Sequence, residues 1–474
     1  MLRASAACEK VGVPTVTLVC EGFAGQAKAT ARGLGLPGLA LGVLPGHTGT
    51  QSDDEVQRHV REQTLQQVIA GLVSSVAQDA DAAEANPRDI VFSGSFEEVN
   101  DHFYDRAWSD GLPIVPPTPA RVDEFLAFTD RAPFETLGVL LPDNRRATPW
   151  NVAINGVMAG CLPEYMPILM AIVDGLLDPR YGVEHSGNTP GSETVIILNG
   201  PIIKELGFNF EQGVMRDGIR PNTSIGRFLR LYLRNVAGFL HGSTDKGTFG
   251  NTWRVVIAEN EDEVARIGWQ PLSVDMGFAA GDNVVTIGRY TGGNVIASVA
   301  GPTPEALMPY VSDRLLKEHG FHVCFTVGQG LGSLRPILLL SPVLAETIAK
   351  GGWSKRDVQQ YLFDHARLTA RQFELYANEW TDQAHAPLTQ RVAQGDAPGV
   401  FAESDDPERL VPIVFEPAHF LVVVTGDPLR TNAYVFSHNG LRGFTIAKPV
   451  VLPRDWAARR EQQLQARRAW GRPA

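Results

Sequence analysis

Short apolar runs alternate along this chain with longer stretches whose apolar residues recur every three or four positions, so strands should alternate with helices. Thr15 to Val19 reads as a strand, Ala24 to Gly33 as a helix, and Leu39 to Leu44 as a second strand ending at Pro45-Gly46-His47. That is a βαβ (Rossmann-like) unit, whose strands should pair in parallel. Ser52 and Glu55 are spaced as a capping box for a helix reaching about Val76. Residues 78–88, rich in Ala, Asp, Asn and Pro, carry no period and read as linker.

From Phe96 a second pattern begins. A helix holding Phe103 leads to Trp108 and the turn Asp110-Gly111-Leu112-Pro113, and Pro116-Pro117 forces an extended entry into a helix at Pro119. Helical spacing covers Trp150 to Leu177, Ser224 to Phe239 and Lys355 to Arg367. Strands are expected at Thr194 to Leu198, Trp253 to Ala258, Val284 to Ile287, His322 to Val327, Ile337 to Leu340 and Phe420 to Val424. The expected class is α/β, with residues 1–77 a small N-terminal domain, 78–95 a linker, 96–453 a larger mixed α/β domain and 454–474 a solvated, basic helical tail. No repeat recurs at a fixed period.

The formal charge is −11, which leaves no basic excess for phosphates, so nucleic acid is not an expected partner. The first residues lack an apolar h-region, and the longest apolar stretch, Met166 to Leu177, is interrupted by Asp174 and is too short to span a bilayer. The expected setting is cytoplasmic, without a membrane. Four cysteines, none in a CxxC pair, argue against a disulfide scaffold or structural zinc, and the histidines form no HExxH pairing, so no metal site is expected.

Four segments could carry chemistry. In Asn155 to Tyr165, small residues put the Cys161 thiol beside Pro163-Glu164-Tyr165, where a helix can restart and its dipole can stabilise a thiolate. The same cysteine, among Met, Ala and Leu, equally fits a small buried hydrophobe. The polar loop His241 to Asn251, with Thr244, Asp245, Lys246 and Thr248, can hold an anion or close as a hairpin, and a strand separates it from Glu259-Asn260-Glu261. The turns Gly328-Gln329-Gly330-Leu331-Gly332 and Gly426-Asp427-Pro428 lack a full dinucleotide fingerprint, and no cofactor can be named.

The stretch Glu9-Lys10-Val11-Gly12-Val13-Pro14-Thr15-Val16, with Phe23, Gly35-Leu36-Pro37 and Pro45-Gly46-His47, resembles the UGSC domain, which is related to the B subunit of glycine, sarcosine and betaine reductases. The remainder is similar to the long domain fused to it in many bacterial proteins. Matching stretches are Trp108 to Thr118, Asn155 to Tyr165, Asn199-Gly200-Pro201, Glu259-Asn260-Glu261 and Gly352-Trp353-Ser354-Lys355. The resemblance implies redox or thiol chemistry, since the family is named for a UGSC or CGSC tetrad upstream of the Gly-Val-Pro-Thr strand. Here the tetrad would fall before Met1, which leaves open a late start, a separate tetrad-bearing partner subunit, or loss of that step. Two family histidines are replaced, in Pro271-Leu272-Ser273 and in Pro342-Val343-Leu344.

The expected function is an enzyme working between the two domains on a small amino-acid-like or thiolated substrate, by reductive or lyase-type cleavage of a C–heteroatom bond. Cys161 would be the nucleophile or redox thiol, Glu164 or Glu259 the acid–base, and Tyr165 and Asn155 would orient the substrate. Lys246 and Thr248 would anchor an anionic group, with Thr244, Asp245, Glu261 and His47 beside them. The alternatives are a non-catalytic scaffolding subunit and a cysteine-independent carboxylate lyase or hydratase. Homo-oligomerisation is expected from how common symmetric assemblies are.

Overall fold

The structure is a computed structural model that describes residues 2–74, 86–327, 332–381, 386–439 and 443–469. In the N-terminal unit, β1 (Thr17–Cys20) and β2 (Leu41–Leu44) pair in parallel, Thr17 opposite Leu41, across the helix Ala24–Gly33. Ala27 and Ala31, one turn apart, are that helix's buried residues, and Ala31 joins Ala6, Leu36 and Leu39 in a small core. The capping box at Ser52 and Glu55 forms as expected and opens helical structure from Asp53 to Leu72 with one π turn inside it.

The rest is organised by one curled mixed sheet. A hairpin of β3 (Gly138–Leu140) and β4 (Arg145–Ala147) precedes the sheet strands β5 (Glu193–Asn199), β6 (Val256–Ala258), β7 (Val284–Ile296) and β8 (Ile337–Leu340). A second hairpin, β9 (Arg367–Thr369) with β10 (Leu410–Pro412), lies apart, and β11 (Leu421–Val424), β12 (Ala433–His438) and β13 (Ile446–Pro449) complete the sheet. The order is β11-β8-β12-β7-β5-β6, with β13 following β12 along the same edge of β7.

β5 and β6 are parallel, β8 and β11 are parallel, and β7 and β12 pair antiparallel at the centre. Each of these inner strands also runs antiparallel to its outer neighbour, β5 or β8. Order and direction therefore read the same from either edge, as a two-fold axis between β7 and β12 would require. Curling brings the edges together: the Asn260 N–H donates to the Val424 carbonyl at 2.8 Å and the Thr425 hydroxyl to the Ala258 carbonyl at 2.8 Å.

Alternation along the strands divides the core. Val195, Ile197, Ile257, Leu339, Val423 and Phe436 form one cluster, while their strand neighbours join two others. Ile196, Leu198 and Val256 pack with the helices Pro149–Ala159, Met166–Leu176 and Arg220–Tyr232. Leu338, Val422 and Val435 pack with Pro304–His319 and Lys355–His365. Period-two alternation sends successive side chains to opposite faces of a strand, here both buried.

Three expectations change. The stretch expected as a strand from His322 to Val327 is a 3-10 turn, Gly320–Phe325, continuing the helix that ends at His319. Its buried positions, Gly320, Val323 and Cys324, follow helical spacing, which outweighed the β-branched alternation. The basic tail is solvated on one face only: in the helix Trp456–Ala469, the Trp456 ring packs on Phe128 and its Nε1 donates to Glu205 at 3.1 Å, while residues such as Glu461, Gln465 and Arg468 stay exposed. Trp253 to Val255 lie outside β6, with the Trp253 ring edge-on to Phe436 at 5.3 Å. Of the expected linker and the glycine-rich turn, residues 78–85 and 328–331 lie outside the described residues.

Candidate functional site

A cavity of about 1240 Å³ opens beside the helix Pro149–Ala159. Thr148 caps this helix through the Asn151 N–H, and Pro149 at its first turn carries no N–H to satisfy. The helix therefore starts in a fixed place and puts Trp150, Asn151 and Asn155 on the cavity wall. Residues 87–96, the end of the expected linker, form the opposite wall. The Pro87 carbonyl accepts from Trp150 Nε1 at 3.0 Å, and the Arg88 guanidinium lies 4.7 Å from the Trp150 ring. Phe92, Phe103 and Trp108 supply aromatic surface, and Arg121, Arg145 and Arg146 supply positive charge, with Arg121 donating to the Pro116 carbonyl at 3.0 Å and Arg145 donating to the Asn235 carbonyl at 2.9 Å and paired with Asp143 at 3.1 Å. Among the described residues on the wall, Asp89 is the only carboxylate, and there is no cysteine or histidine.

Asn155 is buried in this wall and tied on both sides. Its Nδ2 donates to the Asn151 carbonyl at 2.9 Å, and its Oδ1 accepts from Asn235 Nδ2 at 2.9 Å. Sequence reasoning missed Asn235, Trp150, Arg121 and the Arg145-Arg146 pair. The adjacent arginines just before a Thr-Pro helix start were the available signal.

Cys161, Glu164 and Tyr165 share one neighbourhood away from the cavity wall. The Cys161 N–H donates to the Gly156 carbonyl beyond the left-handed Gly160, so the thiol sits past the C-terminal end of a helix, where the dipole opposes a thiolate. Burial pushes the thiol up to about 12, against the Ser224 hydrogen bond and the nearby Arg220 and Arg227 charges. Tyr165 is likewise raised by burial and by the Glu164 charge. The Glu164 carboxylate, 4% exposed, is ion-paired with Arg467 of the C-terminal helix.

Glu259 and Glu261 meet at the seam of the sheet. Glu259 Oε2 accepts from Asn199 Nδ2 and from the Leu272 N–H, both at 2.7 Å, and Oε1 accepts from the Val424 N–H at 3.3 Å. Burial raises its carboxyl above the usual range, with the Lys355 charge and these donors acting against the rise. Glu261 Oε1 accepts from Asn199 Nδ2 at 2.9 Å and the Gly200 N–H at 2.7 Å. Asn199, from the Asn-Gly-Pro stretch, thus holds both carboxylates. Ser273 and Leu344, at the two replaced histidine positions, are buried and off the cavity wall.

The polar loop faces the N-terminal unit. Gln26 Nε2 donates to the Thr244 carbonyl at 3.3 Å, and the Lys246 ammonium lies 6.0 Å from the Phe23 ring centroid. Asp245 is ion-paired with Arg230 at 2.6 Å, and Thr248 bonds back to the Thr189 carbonyl at 3.0 Å. His47 is exposed, its Nδ1 accepting from the Gly49 N–H at 3.1 Å. Asp110 is clamped by Arg227 at 2.9 Å and Arg254 at 3.3 Å, so the Asp-Gly-Leu-Pro turn is anchored to the helix Arg220–Tyr232.

The parallel pair β1 and β2 and their crossover helix fall within residues 1–74, which match the UGSC family model. This segment is a UGSC-like domain. No curated protein and no solved structure matches the chain. The loop carrying Thr244 and Lys246 is therefore in contact with the UGSC-like domain through Gln26 and Phe23. Among the described residues, no helix is long and apolar enough to cross a membrane, and no three His, Cys, Asp or Glu side chains are grouped to hold a metal ion.

Proposed function

We propose that this chain binds a small, amino-acid-sized carboxylate with an apolar body in the cavity beside Trp150, and presents it for thiol-dependent cleavage by a tetrad-bearing partner subunit. The observation that carries this reading is the composition of the cavity wall, aromatic rings with arginines and almost no acid. Guanidinium groups bind carboxylates as paired, charge-assisted donors, and the rings bury the apolar body. Beyond Asp89 the described wall offers Ser and Thr hydroxyls but no cysteine, histidine or lysine to activate them, so it suits binding and orientation more than bond cleavage. The buried Cys161 thiol, pushed up to about 12, favours a thiol brought from elsewhere, in keeping with the UGSC-like domain at the N-terminus. Glu164, held by Arg467, and Glu259, held by three N–H donors, are engaged in ways that do not favour the carboxylate-lyase alternative.

The test is tryptophan fluorescence and calorimetry with phenylacetate, phenylalanine and benzylamine. Phenylacetate should perturb Trp108 or Trp150 and bind at least about tenfold more tightly than benzylamine, a difference of about 1.4 kcal/mol. The double variant Arg121→Met, Arg145→Met should remove that preference while leaving the circular dichroism spectrum unchanged. Equal binding of amine and carboxylate, or no binding by folded protein, would overturn the reading.

A further inference from the structure

A second, smaller recess of about 360 Å³ lies at the centre of the sheet, where β7 and β12 lose register between Ser437 and His438. Such a bulge turns backbone and side chains out of the regular ladder, and bulges recur beside binding sites. Gly292 stands on the recess wall, and a Cβ built there would meet no atom within 4 Å, so the bare backbone faces open space. Phe321 and Phe325 add flat aromatic surface.

Two polar side chains on the wall have unused capacity. Asn439 is 5% exposed, and its Oδ1 has no hydrogen-bond partner although its own N–H donates to the Arg289 carbonyl at 2.8 Å. A buried amide oxygen left unpaired is costly, which marks it as a place where a ligand donor would be gained. The His322 ring lies tilted against Phe321 at 4.0 Å and stacks with His319 at 5.2 Å, and burial lowers its imidazole to about 4, so it is neutral near pH 7 and offers one donor and one acceptor. Among the described residues on the wall, Glu318 is the only charged one, and its Oε1 accepts from Asn294 at 3.0 Å and is ion-paired with Arg314 at 2.9 Å. With Arg314 taken up by Glu318, the described wall offers no cation to hold a phosphate.

We propose that this recess binds a planar heteroaromatic ring that offers a hydrogen-bond donor and acceptor side by side, as a free nucleoside or nucleobase and not as a nucleotide. An asparagine amide matches such an edge in two parallel hydrogen bonds, as it does with adenine, and aromatic faces stack on any base. The glycine backbone admits the ring, and the described wall has no cation with which to hold its phosphorylated form.

The experiment is calorimetric titration of the full chain with adenosine, guanosine, cytidine and AMP. At least one nucleoside should bind saturably, and adenosine should bind more tightly than AMP. Asn439→Ala and His322→Ala should each weaken the best nucleoside at least about tenfold. Gly292→Leu, whose side chain enters open space, should abolish binding with an unchanged unfolding midpoint, which covers the case in which the other variants fold poorly. Glu318→Gln should narrow the gap between adenosine and AMP. Saturable binding by none of the nucleosides at millimolar concentration, or nucleoside affinity unchanged in Gly292→Leu, overturns the proposal. Phenylacetate binding at the first cavity should be the same in all these variants.

Discussion

Replacing Glu259 separates a structural from a catalytic role for the most deeply buried of the candidate carboxylates. Its two oxygens accept from three N–H groups that belong to the end of β5, the end of β11 and the turn at Leu272. Glu259→Ala leaves all three donors unpaired in a dry interior. Each such loss costs about 1–3 kcal/mol, partly offset because no carboxylate is then desolvated. The expected net destabilisation is about 3–5 kcal/mol, the range for removing one partner from a buried charged network. Glu259→Gln can keep both 2.7 Å bonds on its remaining carbonyl and turn its amide to the 3.3 Å contact with Val424, so about 1–2 kcal/mol is expected.

The pH dependence has a definite sign. Burial raises the folded carboxyl above its unfolded value, so the native state holds more protons than the unfolded one in the window between the two. Stability then falls as pH rises through that window, and the deficit of either variant should shrink as pH is raised above the usual carboxyl value of 4.5. Urea unfolding followed by fluorescence and circular dichroism reads both effects. A Glu259→Ala midpoint equal to that of the parent, or a Gln variant as damaged as the Ala variant, would refute this account of the seam.

Other outcomes follow from the same geometry. Iodoacetamide should label the half-buried Cys8 and Cys20 of the native protein well before Cys161 and Cys324, which should react only on unfolding, as read by peptide mass spectrometry. Gly226→Ala would place a Cβ 2.2 Å from the Arg254 carbonyl carbon and 2.3 Å from the Val255 nitrogen, so its melting temperature should drop sharply if it folds at all. Trp456→Ala removes the ring that packs on Phe128, and limited proteolysis should then cut within the C-terminal helix, where the parent resists.

Much of the architecture was legible from local pattern. The Ala24–Gly33 helix, the parallel pair around it and the capping box at Ser52 depend on neighbours a few residues away. The 3-10 turn at Gly320–Phe325 was misread because Val and Phe alternate there, while the side that is buried depends on the distant Phe373 and Leu368. The site was less legible still. Asn155 was found through its unusual small-residue segment, but its partner Asn235 is 80 residues away, and no period or motif joins them. Arg467 reaches Glu164 across 303 residues, so the docked tail could not be inferred from a run of arginines that equally suits water.

The dyad in the sheet bears on the history of the chain. Two like units of three strands, each able to pair its inner strand with a copy of itself, would build this same sheet as a symmetric dimer. Joining them end to end turns that dimer into one polypeptide and frees each half to diverge. The divergence is visible: the path from β6 to β7 carries two helices, whereas β11 reaches β12 through residues 425–432 alone. No repeated sequence survives, yet the two edges still close on each other at Glu259 and Val424. On this view duplication supplied the framework, and the different sets of helices packed on the two halves are what each copy added to it.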